Sequence, residues 1–132
     1  MPEPSLVSHR LVVLCERLAE ATVAGDAKWR TAAEDTFVWD RPEGSVSIGS
    51  RDRDGEPPYE LAEFNGDGVA VDGLVSQLVD GDRPAPWNPA LADVYRVARR
   101  SALRADDLLD SLIGALPANA PEHGTAEQPT DG

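Results

Sequence analysis

The sequence predicts an α+β domain: a four-stranded antiparallel β-meander flanked by an N-terminal helix and a long C-terminal helix, in the order α-β-β-β-β-α. Three observations carry this. Apolar residues recur at helical spacing near both ends of the chain, the period falls to two between them, and each junction in the middle is a short stretch of turn chemistry. Short connections of that kind join antiparallel neighbours, whereas parallel strands need crossovers of a dozen residues or more.

From Leu6 to Ala24 the positions Val7, Leu11, Leu14, Leu18 and Ala21 fall at alternating steps of four and three, which draws one apolar stripe along a helix. Ser5 suits its N-cap and Gly25 its end. Four β-like runs follow, at Trp29–Trp39, Ser45–Ser50, Tyr59–Phe64 and Val69–Leu78. "RPEGS", "RDRDGEPP" and "NGDG" join them, and Asn, Asp and Gly supply the positive φ that tight turns require. In the second run Val46 and Ile48 share a face; in the third Tyr59, Leu61 and Glu63 share one. The connector "DGDRPAPWNPA" ends in a helix start, with Asn88 as N-cap and Pro89 at the first helical position.

The final stripe runs through Leu91, Val94, Tyr95, Ala98, Ala102, Ala105, Leu109, Leu112 and Leu116, and Pro117 stops it. One unbroken helix there would reach about 40 Å at 1.5 Å per residue, long for the domain, so a break near Arg104–Asp106 is the alternative. Residues 1–117 thus form a single domain. Residues 118–132, "ANAPEHGTAEQPTDG", have almost no apolar content and read as a disordered acidic tail.

Composition bounds the function. The 132 residues fit one domain with a real core, and aromatics at 5% leave that core to Leu, Val and Ala. No run reaches the length of a membrane span, and "MPEPSLVSHR" lacks the basic segment and cleavage site of a signal peptide. Cys15 has no second cysteine to pair with, which suits a reducing, cytoplasmic compartment. A net charge of −12 repels nucleic acid and anionic membranes, so the expected partners are proteins, cations or basic molecules.

Two stretches stand out as candidate sites. In "SRDRDGEPPYE" the oxygens of Asp52, Asp54 and Glu56 alternate as in a cation loop, but Gly55 follows Asp54 directly and Pro57 and Pro58 stand where further ligands belong. A sharp Asp-Gly turn explains the same residues without an ion. Arg96, Arg99, Arg100 and Arg104 gather a third of the positive charge into nine residues of the last helix, Arg96, Arg100 and Arg104 on one face. They form either a docking stripe for an acidic partner or internal pairs with Asp93 and Asp107. Trp29, Trp39 and Trp87 mark element boundaries as core plugs or, where exposed, interface anchors, and Trp87 joins Arg96, Arg99, Arg100 and Arg104 as the candidate partner-binding set. His9 and His123 stand apart from Cys15, Gly66 and Gly68 lack a phosphate-loop context, and no nucleophile has a base beside it, so no catalytic residue and no cofactor is expected.

The stretches "FVWDRPEGSVSIGSRDRDGEPPYEL" and "LADVYRVARRSALRADDLLDSLIGAL" set in this order resemble a group of small actinobacterial proteins that share a Trp-led strand, the G-S-V-x-I-x-S-R-D-x-D-G-x-x-P-Y segment and a helix with an L-Y-x-x-A-R-R-S-A-L-like core. The resemblance spans most of Lys28 to Leu116 and brings no activity, cofactor or functional residue with it. The expectation from the residues themselves is a non-enzymatic protein–protein interaction module, an adaptor or regulatory subunit, with self-association through its helices as one mode. The alternative is a small-ligand or cation-binding domain using Asp52, Asp54 and Glu56.

Overall fold

The computed structural model describes residues 6–79 and 83–117. Within them the elements are α1 (Leu6–Ala24), β1 (Arg30–Ala33), β2 (Thr36–Arg41), β3 (Gly44–Ser50), β4 (Tyr59–Asn65), β5 (Ala70–Val75), β6 (Leu78–Val79), β7 (Arg83–Pro84), α2 (Asn88–Ala102) and α3 (Ala105–Gly114). The architecture is α+β with an antiparallel sheet, but that sheet has five strands rather than four, in the order β1-β2-β3-β4-β5. Short β6 and β7 form a separate ribbon, β6 just before the Pro-rich connector and β7 within it. The expected Ser5 cap and the tail 118–132 lie outside the described residues.

The fifth strand comes from the first β-like run, which doubles back on itself. Glu34 and Asp35 turn the chain between β1 and β2, Asp35 taking φ +54°, a left-handed conformation that Asp tolerates better than most residues. The turn is tied down from the neighbouring strand, since the Ser50 N–H donates to the Asp35 carbonyl at 3.2 Å. Gly49 makes that approach possible: a Cβ there would stand 2.8 Å from the same carbonyl oxygen.

Antiparallel register places Phe37, Ile48, Leu61 and Leu74 opposite one another in a row across four strands, all buried. Leu11, Cys15 and Leu18 of α1 and Leu91, Val94, Tyr95 and Ala98 of α2 join this row in one core, which gives two layers, helices on one face of the sheet. The opposite face of the sheet carries the small row Val38, Ser47, Ala62 and Gly73. In α1 the buried line runs through Cys15, while Val7 is exposed and Leu14 half-buried, a small rotation from the stripe drawn by Leu and Val alone.

Trp29 locks the ends of both helices to the start of the sheet. Its backbone N–H donates to Ser101 Oγ at 3.0 Å and its indole N–H to Thr22 Oγ1 at 2.9 Å. Asn88 does not cap α2 with its side chain. Its amide instead brackets Gln77, accepting from the Gln77 N–H at 3.1 Å and donating to its carbonyl at 2.9 Å, so it pins the connector rather than the helix end.

The last helix is broken. Leu103 and Arg104 leave the helical path after Ala102, Arg104 with φ +56° and ψ +45°, and α3 begins anew at Ala105. A left-handed conformation costs a residue with a Cβ roughly 1–2 kcal/mol. Arg100–Asp106 at 2.6 Å, Arg104–Asp107 at 2.9 Å and two acids in the first turn of α3, at the positive end of its dipole, offset part of that cost.

Cys15 has no accessible surface, and burial, with the charge of Glu16 adding, pushes its thiol from 9.0 up to about 12. A raised value favours the folded state below the ordinary thiol range and withdraws that contribution as pH climbs towards 12. Native protein at pH 8 is expected to leave Cys15 unlabelled by a maleimide over a period in which the urea-unfolded chain reacts fully. Rapid stoichiometric labelling of the native protein would show a route to the thiol that this core does not have.

Candidate functional site

The largest unexplained feature is α3. The four-three spacing that continues from α2 places Ala105, Leu108, Leu109, Leu112 and Ile113 on one side of it, and Leu116 in the turn beyond. None of its residues is buried; Leu109 and Leu112 are 52% and 56% exposed, and Leu103, Leu108, Ile113 and Leu116 stand equally open. Asp106, Asp107, Asp110 and Ser111 occupy the other side. A helix of ten residues is marginal in water alone, and a stripe of this width ordinarily packs on something.

The Arg cluster borders that stripe. Arg96 meets Asp93 at 3.2 Å, Arg100 meets Asp106 and Arg104 meets Asp107, all exposed. Arg99 is exposed as well, with its charge near the Tyr95 hydroxyl. Three of the four guanidinium groups therefore hold acids of their own chain, in surface pairs worth about 0–1 kcal/mol each. Of these, Arg100–Asp106 latches α3 to α2 across the break, Arg104–Asp107 closes the first turn of α3, and Arg96–Asp93 stays within α2. Trp87 is half-buried against the core, its indole N–H donating to the Val75 carbonyl at 2.9 Å. Beside the latch lies an open cleft of about 450 Å³ between the ends of α1 and α2, walled by Thr22, Val23, Trp29, Arg100 and Arg104.

The D-x-D-G stretch folds as a turn held by its own side chains. Asp54 Oδ1 accepts the Glu56 N–H at 3.0 Å and lies 3.0 Å from Ser50 Oγ, which shares its single proton with the Glu56 carbonyl at 2.8 Å. Those bonds, the Glu56 N–H first, hold the Asp54 carboxyl below the usual range. Arg53 and Gly55 take positive φ, the Pro57–Pro58 bond is cis, and the Tyr59 hydroxyl donates to the Gly55 carbonyl at 3.1 Å. Asp52, Asp54 and Glu56 remain on the surface, and among the described residues no group of three or more His, Cys, Asp or Glu is placed to hold a metal ion.

Under this loop sits a tyrosine pair that the sequence did not announce. Tyr59 and Tyr95 stack with centroids 4.4 Å apart, and the Tyr95 hydroxyl donates to Asp35 Oδ1 at 2.7 Å, tying α2 to the β1–β2 turn. Burial first, then the Asp35 carboxylate, pushes the Tyr95 phenol well above its ordinary value. Sequence alone gives Glu34 and Asp35 no more than the look of a solvated acid pair. The available signal was a two-residue turn between stretches of β-formers.

Glu63 and Asp72 stand directly opposite each other on β4 and β5, on the helix-facing side near Arg10 of α1. Burial raises the Glu63 carboxyl, the bond to Asp72 and its charge add to this, and Arg10 opposes it. Such a group stabilises the fold fully below the ordinary glutamate range and loses that contribution as pH rises through its raised value. Glu63→Gln is therefore expected to stabilise the protein at pH 7 by roughly 0.2–1 kcal/mol, the size of a relieved cross-strand repulsion, and to flatten the gain on mild acidification. Urea melts at pH 7 and pH 5 check this; a loss of stability at pH 7 would mean that Arg10, not Asp72, dominates the Glu63 environment.

No helix among the described residues is long and apolar enough to cross a membrane. No protein-family model, no curated protein and no solved structure matches the chain.

Proposed function

We propose that the protein is a non-enzymatic interaction module, an adaptor or regulatory subunit, that docks through the apolar side of α3 with the Arg96–Arg104 ridge at its rim. The observation that supports this most is the stripe Leu108, Leu109, Leu112, Ile113 and Leu116, half exposed or more on a helix with no buried residue. Interfaces place apolar anchors centrally and charged residues at the rim, and arginine is the charge they favour.

The test is affinity capture of the tagged full chain from its native host, wild type beside Leu109→Asp/Leu112→Asp, with the mass of each species determined in parallel. The expected result is a companion at about one to one, a second copy or another chain, that the double variant no longer holds. A wild-type protein that is monomeric and bare would overturn the reading, as would a companion held equally by the variant.

A further inference from the structure

The order of residues along α3 points to what covers it. Ala105 and Leu116, Leu108 and Ile113, and Leu109 and Leu112 lie at equal distances on either side of the midpoint between Asp110 and Ser111. The apolar stripe therefore reads the same in both directions. Reversing the helix end for end leaves apolar residues facing apolar residues at every level, which is the condition for a self-complementary interface about a twofold axis.

We propose that a second copy of this chain covers α3, the two α3 helices packing antiparallel across a twofold axis between Asp110 and Ser111. The inference rests on the docking role of α3 and names its partner.

Two further observations favour a second copy. Residues 118–132, which follow α3, offer no large apolar side chain to cover it: they contain no Leu, Ile, Val, Met, Phe, Tyr or Trp. Antiparallel packing brings Arg104, at the start of one α3, to the end of the other, where the negative end of the helix dipole lies. The same packing opposes the two helix dipoles and keeps Asp106 and Asp107 of one copy away from those of the other. Parallel packing would superpose all of these like charges.

The test uses the full chain in two measurements. Sedimentation equilibrium of the wild type is expected to show two chains per particle at high concentration, and Leu109→Asp/Leu112→Asp one chain at every concentration with the same cooperative urea transition as the dilute wild type. A chain carrying Ala105→Cys and Leu116→Cys is then treated with a short bismaleimide. Cys15 is fully buried and stays silent, and the two new thiols are about 16 Å apart along one helix, beyond the linker's span. Peptide mapping of the cross-linked dimer is expected to find position 105 joined to position 116 of the other copy.

Links of 105 to 105 and 116 to 116 would overturn the antiparallel arrangement. A wild type that stays monomeric at high concentration would overturn the self-pairing. If that monomer still captures another chain through α3, the docking role stands and only its partner was misassigned; if it captures nothing, both fail.

Discussion

Replacing Ile48 with alanine is expected to lower the unfolding free energy by about 2–5 kcal/mol, the range for deleting a fully buried branched side chain from a core that relaxes only in part. Ile48 has no accessible surface and sits between Phe37 and Leu61 in the row that crosses the sheet beneath the helices. It lies on the central strand, where neighbours on both sides are fixed by the β-ladder and cannot close in easily. Leu112→Ala, measured beside it under conditions where the chain is monomeric, is expected to change stability by no more than about 0.5 kcal/mol, because its side chain meets no core. Urea unfolding of both variants with unchanged m-values checks the contrast. Similar losses at the two positions would mean that α3 belongs to the core after all.

The second large effect is on association. Two aspartates on the stripe, at Leu109 and Leu112, are expected to weaken pairing at least about a thousandfold, taking about 2 kcal/mol for each anchor lost from the centre of an interface. The true cost is larger, because each substitution appears in both copies and leaves charges in an apolar contact without partners. Folding of the monomer is expected to survive, since both positions face outward. Arg100→Glu/Arg104→Glu acts on the latch instead: it sets like charges beside Asp106 and Asp107 and frees α3 from the end of α2. Its effect on pairing is expected to be smaller than that of the stripe and to fade with added salt. Sedimentation of both variants across a concentration series separates core from rim.

How far the sequence foretold this depends on which physics each residue reports. The four-three spacing of Leu11 and Leu18, and of Leu91, Val94, Tyr95 and Ala98, is a direct consequence of one buried side, and both helices follow it. The turns "RPEGS", "RDRDGEPP" and "NGDG" place three of the hairpins because each carries a glycine the backbone needs: Gly55 and Gly68 take positive φ, and at Gly44 a Cβ would run into the Phe64 carbonyl. The β1–β2 hairpin escaped because its turn, Glu34–Asp35, contains no glycine and lies inside a run of strand-formers.

The break before α3 was legible only as an alternative to an overlong helix. Arg104 adopts the left-handed region with nothing in its identity to announce it, and Arg100–Asp106 spans six residues, a spacing that no continuous helix would pair. Periodicity also states that α3 is amphipathic without stating what lies against it. The apolar stripe of α2 meets the sheet, and the same stripe continued through Leu109, Leu112 and Leu116 meets solvent, because the chain changes direction between them. The role of Asp54 was visible in its turn-forming neighbours, while the Tyr59–Tyr95 stack and the Asp35 bond join residues far apart in the chain and required the fold.

The most direct measurement is amide hydrogen exchange through residues 108–116 of the intact chain, at high and at low protein concentration. A short helix with no buried side exchanges close to the unfolded rate unless something covers it. The account predicts marked protection of these amides at high concentration, loss of that protection on dilution or in Leu109→Asp/Leu112→Asp, and unchanged protection through β2, β3 and β4. Exchange near the unfolded rate at every concentration would contradict it, making α3 a frayed end rather than a docking surface.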